Sequence, residues 1–291
     1  MSDNDNTSGH KASFIGIGAQ KCGTTWVHHC LSQHPGIYAA QGQDKDTKFF
    51  GSFYDRGYQW YESHFAEASP GLKRGEVSTS YFYNSDIPER IRRYNPDVKL
   101  FVCLRDPIER IISNHKHQVR GRQIWGDNFS LKHALDNNPA YIMQSRYALH
   151  LERWYKVFPK EQIKIVFFED IYSAPQQLIS ELYEFLEVDA SFIPQELDTV
   201  ANASYLPAAG GTTKIVATAG RALRSIGLGT IVEQGRKMGI NQWLRRSKAP
   251  ANKETLTVEA EALEQICSLL QPDVDRLSEL TGRDLSHWLK K

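Results

Sequence analysis

The feature that most constrains the fold is a glycine-bounded turn between a short apolar run and a helical segment. The apolar run covers Ser13 to Ile17 and has the length and composition of a buried strand. Gly18 and Gly23 bound the turn that follows it. Thr24 to Gln33 then predicts a helix, which stops near His34-Pro35-Gly36 because proline and glycine break helices. We therefore expect a strand, a tight turn and a helix, in that order, at the start of the fold.

The same alternation of apolar runs and helical segments continues along the chain. Further buried strands are predicted at Arg74 to Val77, Val98 to Leu104 and Gln162 to Phe168. Helices are predicted at Gly57 to Phe65, Pro88 to Tyr94, Pro107 to Val119, Tyr147 to Phe158 and Pro175 to Leu186. A last helix, Leu256 to Leu280, is expected to be interrupted at Pro272. Strands separated by helices at this spacing predict an α/β fold with a central parallel sheet covered by helices.

The composition argues against some classes of binding partner. The chain has 291 residues, of which 41% are hydrophobic, and this is enough for a sizeable core. Its 35 basic and 34 acidic residues nearly cancel and leave a net charge of +1 at pH 7. This balance argues against a nucleic-acid binder or a membrane-surface protein, so any anion site must be built locally by the fold. Because the sequence has no run of 18 apolar residues, no membrane span is expected.

The N-terminal residues and the cysteines indicate the domain organisation of the chain and its cellular compartment. Residues 1–12 are rich in Ser, Asn and Asp, lack the apolar stretch of a secretory signal, and are predicted to form a disordered tail. Residues 13–291 are predicted to form one domain, in which 208–250 is a flap or insertion. The cysteines form no C-x-x-C pair, which argues against zinc. Cys103 and Cys267 lie in apolar segments typical of buried residues, which favours a reducing, cytoplasmic location. The sequence assigns no oligomeric state.

The glycine-bounded turn has the spacing of a phosphate-binding loop. Small residues let backbone N–H groups surround an anion, and the N-terminus of the following helix adds a partial positive charge. Nucleoside triphosphatases place a lysine directly after the second glycine, whereas Thr24 stands there in this chain and Lys21 lies inside the turn. This displacement, with no evident strand-end carboxylate for magnesium, argues against such an enzyme. The alternative is a plain glycine turn with a solvated lysine.

A second group of polar residues follows the strand predicted at Val98 to Leu104. Arg105 stands at the end of that strand, where ligands bind in open α/β sheets. Its planar guanidinium suits a phosphate, and Ser113 lies two turns along the next predicted helix. The pair predicts a second phosphate site. The alternative is a surface arginine beside a helix that Asp106 caps.

Together these motifs resemble the sulfotransferases that use 3′-phosphoadenosine 5′-phosphosulfate (PAPS). More of the chain carries the resemblance: Lys45–Phe50 is similar to the family's K-E-x-x-F-F, Gly75–Ser78 to G-E-x-S, Phe168–Asp170 to Y-E-D, and Gly282–Trp288 to the closing signature. The similarity is greater to bacterial and heparan-type members than to the cytosolic steroid and phenol enzymes. It implies a P-loop-like α/β fold, PAPS as cosubstrate, adenosine 3′,5′-bisphosphate (PAP) as product, and no metal. It also implies sulfuryl transfer to a hydroxyl or amine of a carbohydrate or small molecule.

The resemblance also assigns roles to individual residues. The nucleotide-binding set that it implies is Gly18, Gln20, Lys21, Cys22, Gly23, Thr24, Thr25 and Trp26, with Arg105 and Ser113 on the 3′-phosphate. Lys21 is the residue expected to stabilise charge on the departing nucleotide. Asp46 takes the place of the glutamate base of heparan-type relatives, and the alternative is a loop carboxylate paired with Lys45 or Lys48. His117 is a second candidate base, with a surface histidine as its alternative.

Two other functions stay open at this point. One is a small-molecule kinase built on a phosphate-binding loop, which the position of Lys21 and the pair of Arg105 and Ser113 argue against. The other is a nucleotide-binding protein without catalysis, because Asp46 is one methylene shorter than the family's glutamate. The acceptor is left open among sugars, phenols, lipids and small metabolites.

Overall fold

The computed structural model describes residues 10–40, 45–120, 130–195, 197 and 258–290. The flap or insertion predicted at 208–250 lies outside these residues, and so do residues 1–9 of the predicted tail. The assignment of 13–291 to one domain stays a prediction. Within the described ranges, no helix combines the length and the apolar character needed to cross a membrane.

A five-stranded parallel sheet forms the centre of the fold. The strands are β1 (Phe14–Gly18), β2 (Ile37–Ala39), β3 (Lys73–Val77), β4 (Lys99–Leu104) and β5 (Ile163–Phe167). Their order across the sheet is β2-β3-β1-β4-β5, so β1 lies between β3 and β4. All five residues of β1 are buried, as expected of a central strand in a covered parallel sheet. The predicted α/β fold with a central parallel sheet is therefore confirmed.

Helices connect and cover the strands. They are α1 (Thr24–Gln33), α2 (Phe49–Ser52), α3 (Gly57–Ser63), α4 (Ile87–Tyr94), α5 (Pro107–Arg120), α6 (Leu131–Asn137), α7 (Ala140–Met143), α8 (Tyr147–Tyr155), α9 (Asp170–Ser173), α10 (Pro175–Phe185) and α11 (Ala260–Thr281). The predicted helix ends agree with these to within about one helical turn. Strand β2 and helices α2, α6, α7 and α9 were not predicted, because such short segments do not show a clear period.

The interruption expected at Pro272 is wrong. Helix α11 runs through Pro272 without a break. Pro272 lies on the exposed face of the helix, whereas Leu270 before it and Val274 after it are buried. Burial of apolar side chains on both sides of the proline outweighs the one helical hydrogen bond that it removes, so the helix continues.

Strand β3 packs so closely against β1 that Gly75 has no room for a side chain. A Cβ at Gly75 would lie 2.2 Å from the carbonyl oxygen of Phe14. The parallel register places Gly75 opposite Phe14 and Glu76 opposite Ile15. Strand packing therefore requires the glycine of the Gly75–Ser78 motif, and it holds Glu76 in the middle of the sheet.

The carboxyl ends of the parallel strands meet at one edge of the sheet. The Ala19 N–H, just after β1, donates to the Cys103 carbonyl oxygen in β4 at 2.9 Å. The Phe168 N–H, just after β5, donates to the Leu104 carbonyl oxygen at 2.8 Å. Ligands of open α/β sheets bind at this edge, and both predicted phosphate sites follow strands that end there.

Candidate active site

The turn after β1 has a backbone suited to an anion. Gly23 has a φ of 85°, and a Cβ there would lie 2.6 Å from Ile171 Cδ1. Lys21, inside the turn, also has a positive φ, of 72°. Helix α1 begins directly after the turn and has no acidic residue in its first turn. Its own side chains therefore leave the positive end of the helix dipole available to an anionic group.

Cys22 and Trp26, which the resemblance assigns to the nucleotide, have contacts within the protein. The buried Cys22 thiol donates to the Gln20 carbonyl oxygen at 3.7 Å and lies 3.6 Å from Tyr147 Oη. Burial raises the pKa of Cys22 to about 11, so the group is a neutral thiol at pH 7. Trp26 is also buried, and its Nε1–H donates to the Leu197 carbonyl oxygen at 3.1 Å. The nucleotide contacts of Gln20, Cys22 and Trp26 stay predictions.

Asp46 has one carboxylate oxygen without a partner. Its Oδ2 accepts from Thr79 Oγ1 at 3.1 Å and from the Thr79 N–H at 3.5 Å. Its Oδ1 is shielded from solvent and has no hydrogen-bond partner among the described residues. A shielded, unpaired carboxylate oxygen is costly, and an incoming hydroxyl would satisfy it. The geometry suits a group that accepts a proton from a bound acceptor.

Lys45 joins the segment of Asp46 to the first turn of α1, directly after the glycine-bounded turn. Its Nζ donates to Thr25 Oγ1 at 3.1 Å. Thr25 is exposed in the first turn of α1, whereas Thr24 beside it is buried. Burial lowers the pKa of Lys45, while attraction to the neighbouring carboxylate of Asp46 opposes that shift. The loop and Asp46, which belong to separate sequence motifs, therefore lie at one site.

Glu76 anchors this segment from beneath. Its buried carboxylate accepts at Oε2 from the Thr47 N–H at 3.0 Å, from Thr47 Oγ1 at 2.6 Å and from Ser78 Oγ at 2.6 Å. Its Oε1 accepts from Tyr81 Oη at 3.0 Å. Burial raises the pKa of Glu76, and these donors oppose the shift. The resemblance pointed to this glutamate without a role, and the structure shows that it fixes the residue next to Asp46.

Glu76→Ala is expected to lower the free energy of unfolding by about 3 kcal/mol or more, because each buried donor left unsatisfied costs about 1–3 kcal/mol. Chemical denaturation monitored by circular dichroism measures this change. The matched control is Glu67→Ala, which removes an exposed glutamate and should change stability by less than about 0.5 kcal/mol. Equal effects of the two substitutions would contradict the anchoring role of Glu76.

Arg105 lies at the end of β4, and part of its guanidinium is engaged. Its Nε and Nη2 donate to Glu109 Oε2 at 3.1 and 2.9 Å, and its central carbon lies 4.1 Å from the centre of the Phe168 ring. These contacts orient the guanidinium plane and leave further N–H donors for a ligand. Asp106 Oδ1 accepts from the Ile108 N–H at 2.8 Å, so Asp106 does cap α5. Such a cap is compatible with an anion at Arg105.

The remaining predicted residues lie on α5. Ser113 is partly exposed. His117 is exposed, which favours the surface alternative over a role as base. His115 is fully buried, and its Nδ1 lies 3.0 Å from Tyr141 Oη. Asp46 therefore ranks above His117 as the candidate base.

Arg283 and Trp288, near the end of the chain, hold the segment after β5 in place. Trp288 Nε1–H donates to Glu169 Oε1 at 3.0 Å. Arg283 donates two hydrogen bonds of 2.6 Å to the carboxylate of Asp170. The two partners in these pairs lie 119 and 113 residues apart in the sequence. The segments Phe168–Asp170 and Gly282–Trp288, which only the resemblance had singled out, are therefore joined by hydrogen bonds beside β5.

Comparison with known proteins shows which family the chain resembles. The sulfotransferase domain family matches residues 12–213. Mouse heparan sulfate glucosamine 3-O-sulfotransferase 5 is 30% identical over 183 residues, which cover 59% of this chain and 52% of that protein. The chain thus spans about half the length of the curated relatives it matches.

Solved structures show the same fold. A sulfotransferase from Alicyclobacillus acidocaldarius aligns with a TM-score of 0.68 and 23% identity, covering 96% of this chain and 98% of that one. A mouse sulfotransferase complexed with PAP aligns with a TM-score of 0.52 and 14% identity, covering 96% and 87%. The family match extends over more than half of the 291 residues and includes the loop, Asp46 and Arg105. The resemblance seen in the sequence is confirmed, and the chain belongs to the sulfotransferase domain family.

Proposed function

We propose that the protein is a sulfotransferase that moves a sulfuryl group from PAPS to a hydroxyl or amine of a carbohydrate or small molecule. The observation that carries this proposal is the placement of Asp46, with its unpaired Oδ1, beside a loop that ends at the positive end of α1. The loop suits the phosphosulfate and the carboxylate suits the acceptor. The mouse neighbour complexed with PAP supports this choice of nucleotide.

The residues at this site have complementary tasks in such a transfer. Asp46 Oδ1 takes the acceptor proton as the acceptor oxygen or nitrogen bonds to sulfur. The bond from sulfur to the bridging oxygen breaks, and its electron pair leaves on the phosphate of PAP. Lys21 stabilises the charge that develops on this bridging oxygen. The proposal assigns no step to a metal.

Arg105 and Ser113 distinguish PAPS from nucleotides without a 3′-phosphate in this proposal. Arg105→Ala is expected to weaken binding of PAP by about 1.5–3 kcal/mol, the usual loss for a charge-assisted hydrogen bond. Binding of adenosine 5′-phosphosulfate, which has no 3′-phosphate, should change much less. Titration calorimetry with both nucleotides measures the difference, and Ser113→Ala should change it in the same direction.

The control for this titration is Arg93→Ala, which removes an exposed arginine from α4. It should leave both affinities unchanged. If Arg105→Ala weakens both nucleotides equally, Arg105 does not contact the 3′-phosphate.

The function itself is tested by incubating the protein with PAPS and chemically distinct acceptors. Acceptor-dependent formation of PAP, with a sulfated product detected by mass spectrometry, is the expected result. Phosphate transfer from ATP to the same acceptors would instead support the small-molecule kinase. Tight binding of PAP without turnover on any acceptor would support the catalytically inactive alternative.

We further propose that the enzyme acts in the cytoplasm. Cys22, Cys30, Cys103 and Cys267 are all free thiols, and the first three are buried. Unpaired cysteines are typical of reducing compartments. Recovery of the protein from a secreted or membrane-enclosed oxidising fraction would contradict this location.

A further inference from the structure

The ammonium group of Lys45 lies beside the first turn of α1, next to the proposed phosphate-binding loop. Its ammonium group lies 3.1 Å from the hydroxyl of Thr25, which is an exposed residue in the first turn of α1. No carboxylate in the described part of the chain lies within ion-pairing distance of this ammonium group. Lys45 therefore projects toward the loop, where its hydrogen-bond partner is the Thr25 hydroxyl.

This position is unfavourable for a cation unless an anion joins it. The N-terminus of α1 carries partial positive charge, and Lys21 adds a second cation within the loop. Burial lowers the pKa of Lys45, as expected for an ammonium group withdrawn from water. A bound phosphosulfate would place negative charge beside the Lys45 ammonium group.

Two of the titratable groups near Lys45 are neutral at pH 7 and leave its positive charge unchanged. His28 is partly buried, its Nε2 lies 2.7 Å from the Ala40 carbonyl oxygen, and its pKa is lowered to about 4 by burial, so it is neutral at pH 7. Burial raises the pKa of the Cys103 thiol, so it too is uncharged. Asp46 is the acidic neighbour, and its Oδ2 is directed to Thr79.

We propose that Lys45 is a second catalytic cation, which donates a hydrogen bond to a non-bridging oxygen of the sulfuryl group during its transfer. Lys21 stabilises the bridging oxygen, Lys45 the moving group, and Asp46 next to Lys45 takes the acceptor proton. The Thr25 hydroxyl holds the Lys45 ammonium group in place before the nucleotide binds. This inference depends on the proposed function, because it assigns the residue to a sulfuryl group.

The test compares Lys45→Met with Lys45→Arg in binding and in single-turnover transfer. Met fits the partly buried stem but carries no charge, whereas Arg keeps the charge. Lys45→Met should bind PAP, which has no sulfuryl group, within about threefold of the parent while PAPS binds clearly more weakly. Its transfer rate should fall by about 10²–10³, as for loss of one preorganised charge contact, and Lys45→Arg should recover part of that loss.

Lys156→Met, which removes an exposed lysine at the end of α8, is the matched control and should resemble the parent. Transfer by Lys45→Met within about threefold of the parent would overturn the inference. Equal weakening of PAP and PAPS would also overturn it, because Lys45 would then support the loop through Thr25. The comparison of PAP with PAPS binding needs no turnover, so it tests the role of Lys45 separately from the proposed activity. The proposed activity fails if the parent protein forms no PAP from PAPS with any acceptor.

Discussion

Asp46→Asn is expected to lower the single-turnover rate of sulfuryl transfer by about 10²–10⁴, the span typical of general-base loss, while PAPS affinity stays near the parent value. Asn keeps the shape of the side chain, and its amide oxygen can still accept from Thr79 Oγ1. The amide cannot take a proton, so the acceptor hydroxyl would attack without a base. Rapid-quench measurement of transfer, beside calorimetric titration of PAPS, separates chemistry from binding.

Asp46→Glu should retain more activity than Asp46→Asn, because it keeps a carboxylate at the site. Asp55→Asn is the matched control, since Asp55 is an exposed aspartate in the 3₁₀ turn Tyr54–Arg56, and it should behave as the parent. Full activity in Asp46→Asn would remove Asp46 as the base and move that role to His117. A parallel loss of PAPS binding would mean that Asp46 supports the loop.

Lys21→Ala is expected to keep the fold and to lower transfer by about 10²–10³, because it removes one preorganised contact to the developing charge. The effect should fall mainly on the transfer rate, since charge on the bridging oxygen grows only as the bond to sulfur breaks. Single-turnover transfer and thermal unfolding, measured on the same preparation, test both parts of this expectation.

The backbone at Lys21 requires a second variant. Its φ of 72° is left-handed, and Ala has the same steric cost there as other side chains with a Cβ. Lys21→Met keeps the aliphatic stem and removes only the charge, so it should lose about as much activity as Lys21→Ala. Lys156→Ala serves as the control for loss of an exposed lysine. Either Lys21 variant within a factor of a few of the parent would contradict the role of this lysine.

Local signals in the sequence were sufficient for the main elements. The continuous apolar run before Arg105 predicted β4, and the proline-glycine stop after Gln33 predicted the end of α1. Strand β2 has only three residues, so it shows no period, and its place at the sheet edge depends on pairing with β3. Pro272 was interpreted by its intrinsic effect alone, whereas burial on both sides of it preserves α11.

Some residues of the candidate site could likewise be predicted from local sequence, and others could not. Spacing and residue type singled out Lys21 and Arg105, because a phosphate-binding turn and a strand end are local features of the chain. The role of Glu76 was not predicted, because its strand also carries Lys73 and Arg74 and nothing in that sequence marks Glu76 as the buried charge. Its partner Thr47 lies 29 residues away, and no local pattern gives that pairing.

The sequence by itself determined that the chain builds a parallel sheet with a glycine-bounded turn between β1 and α1, since strand, glycine turn and helix are dictated by neighbouring residues. Only the tertiary structure decided that Lys45 reaches Thr25 and that Asp46 keeps Oδ1 unpaired. These relations depend on the placement of β3 beside β1 and on a buried carboxylate that fixes the segment between them. Contacts of this kind follow from strand order and close packing. Both depend on interactions between residues far apart in the sequence, so short-range periodicity does not reveal them.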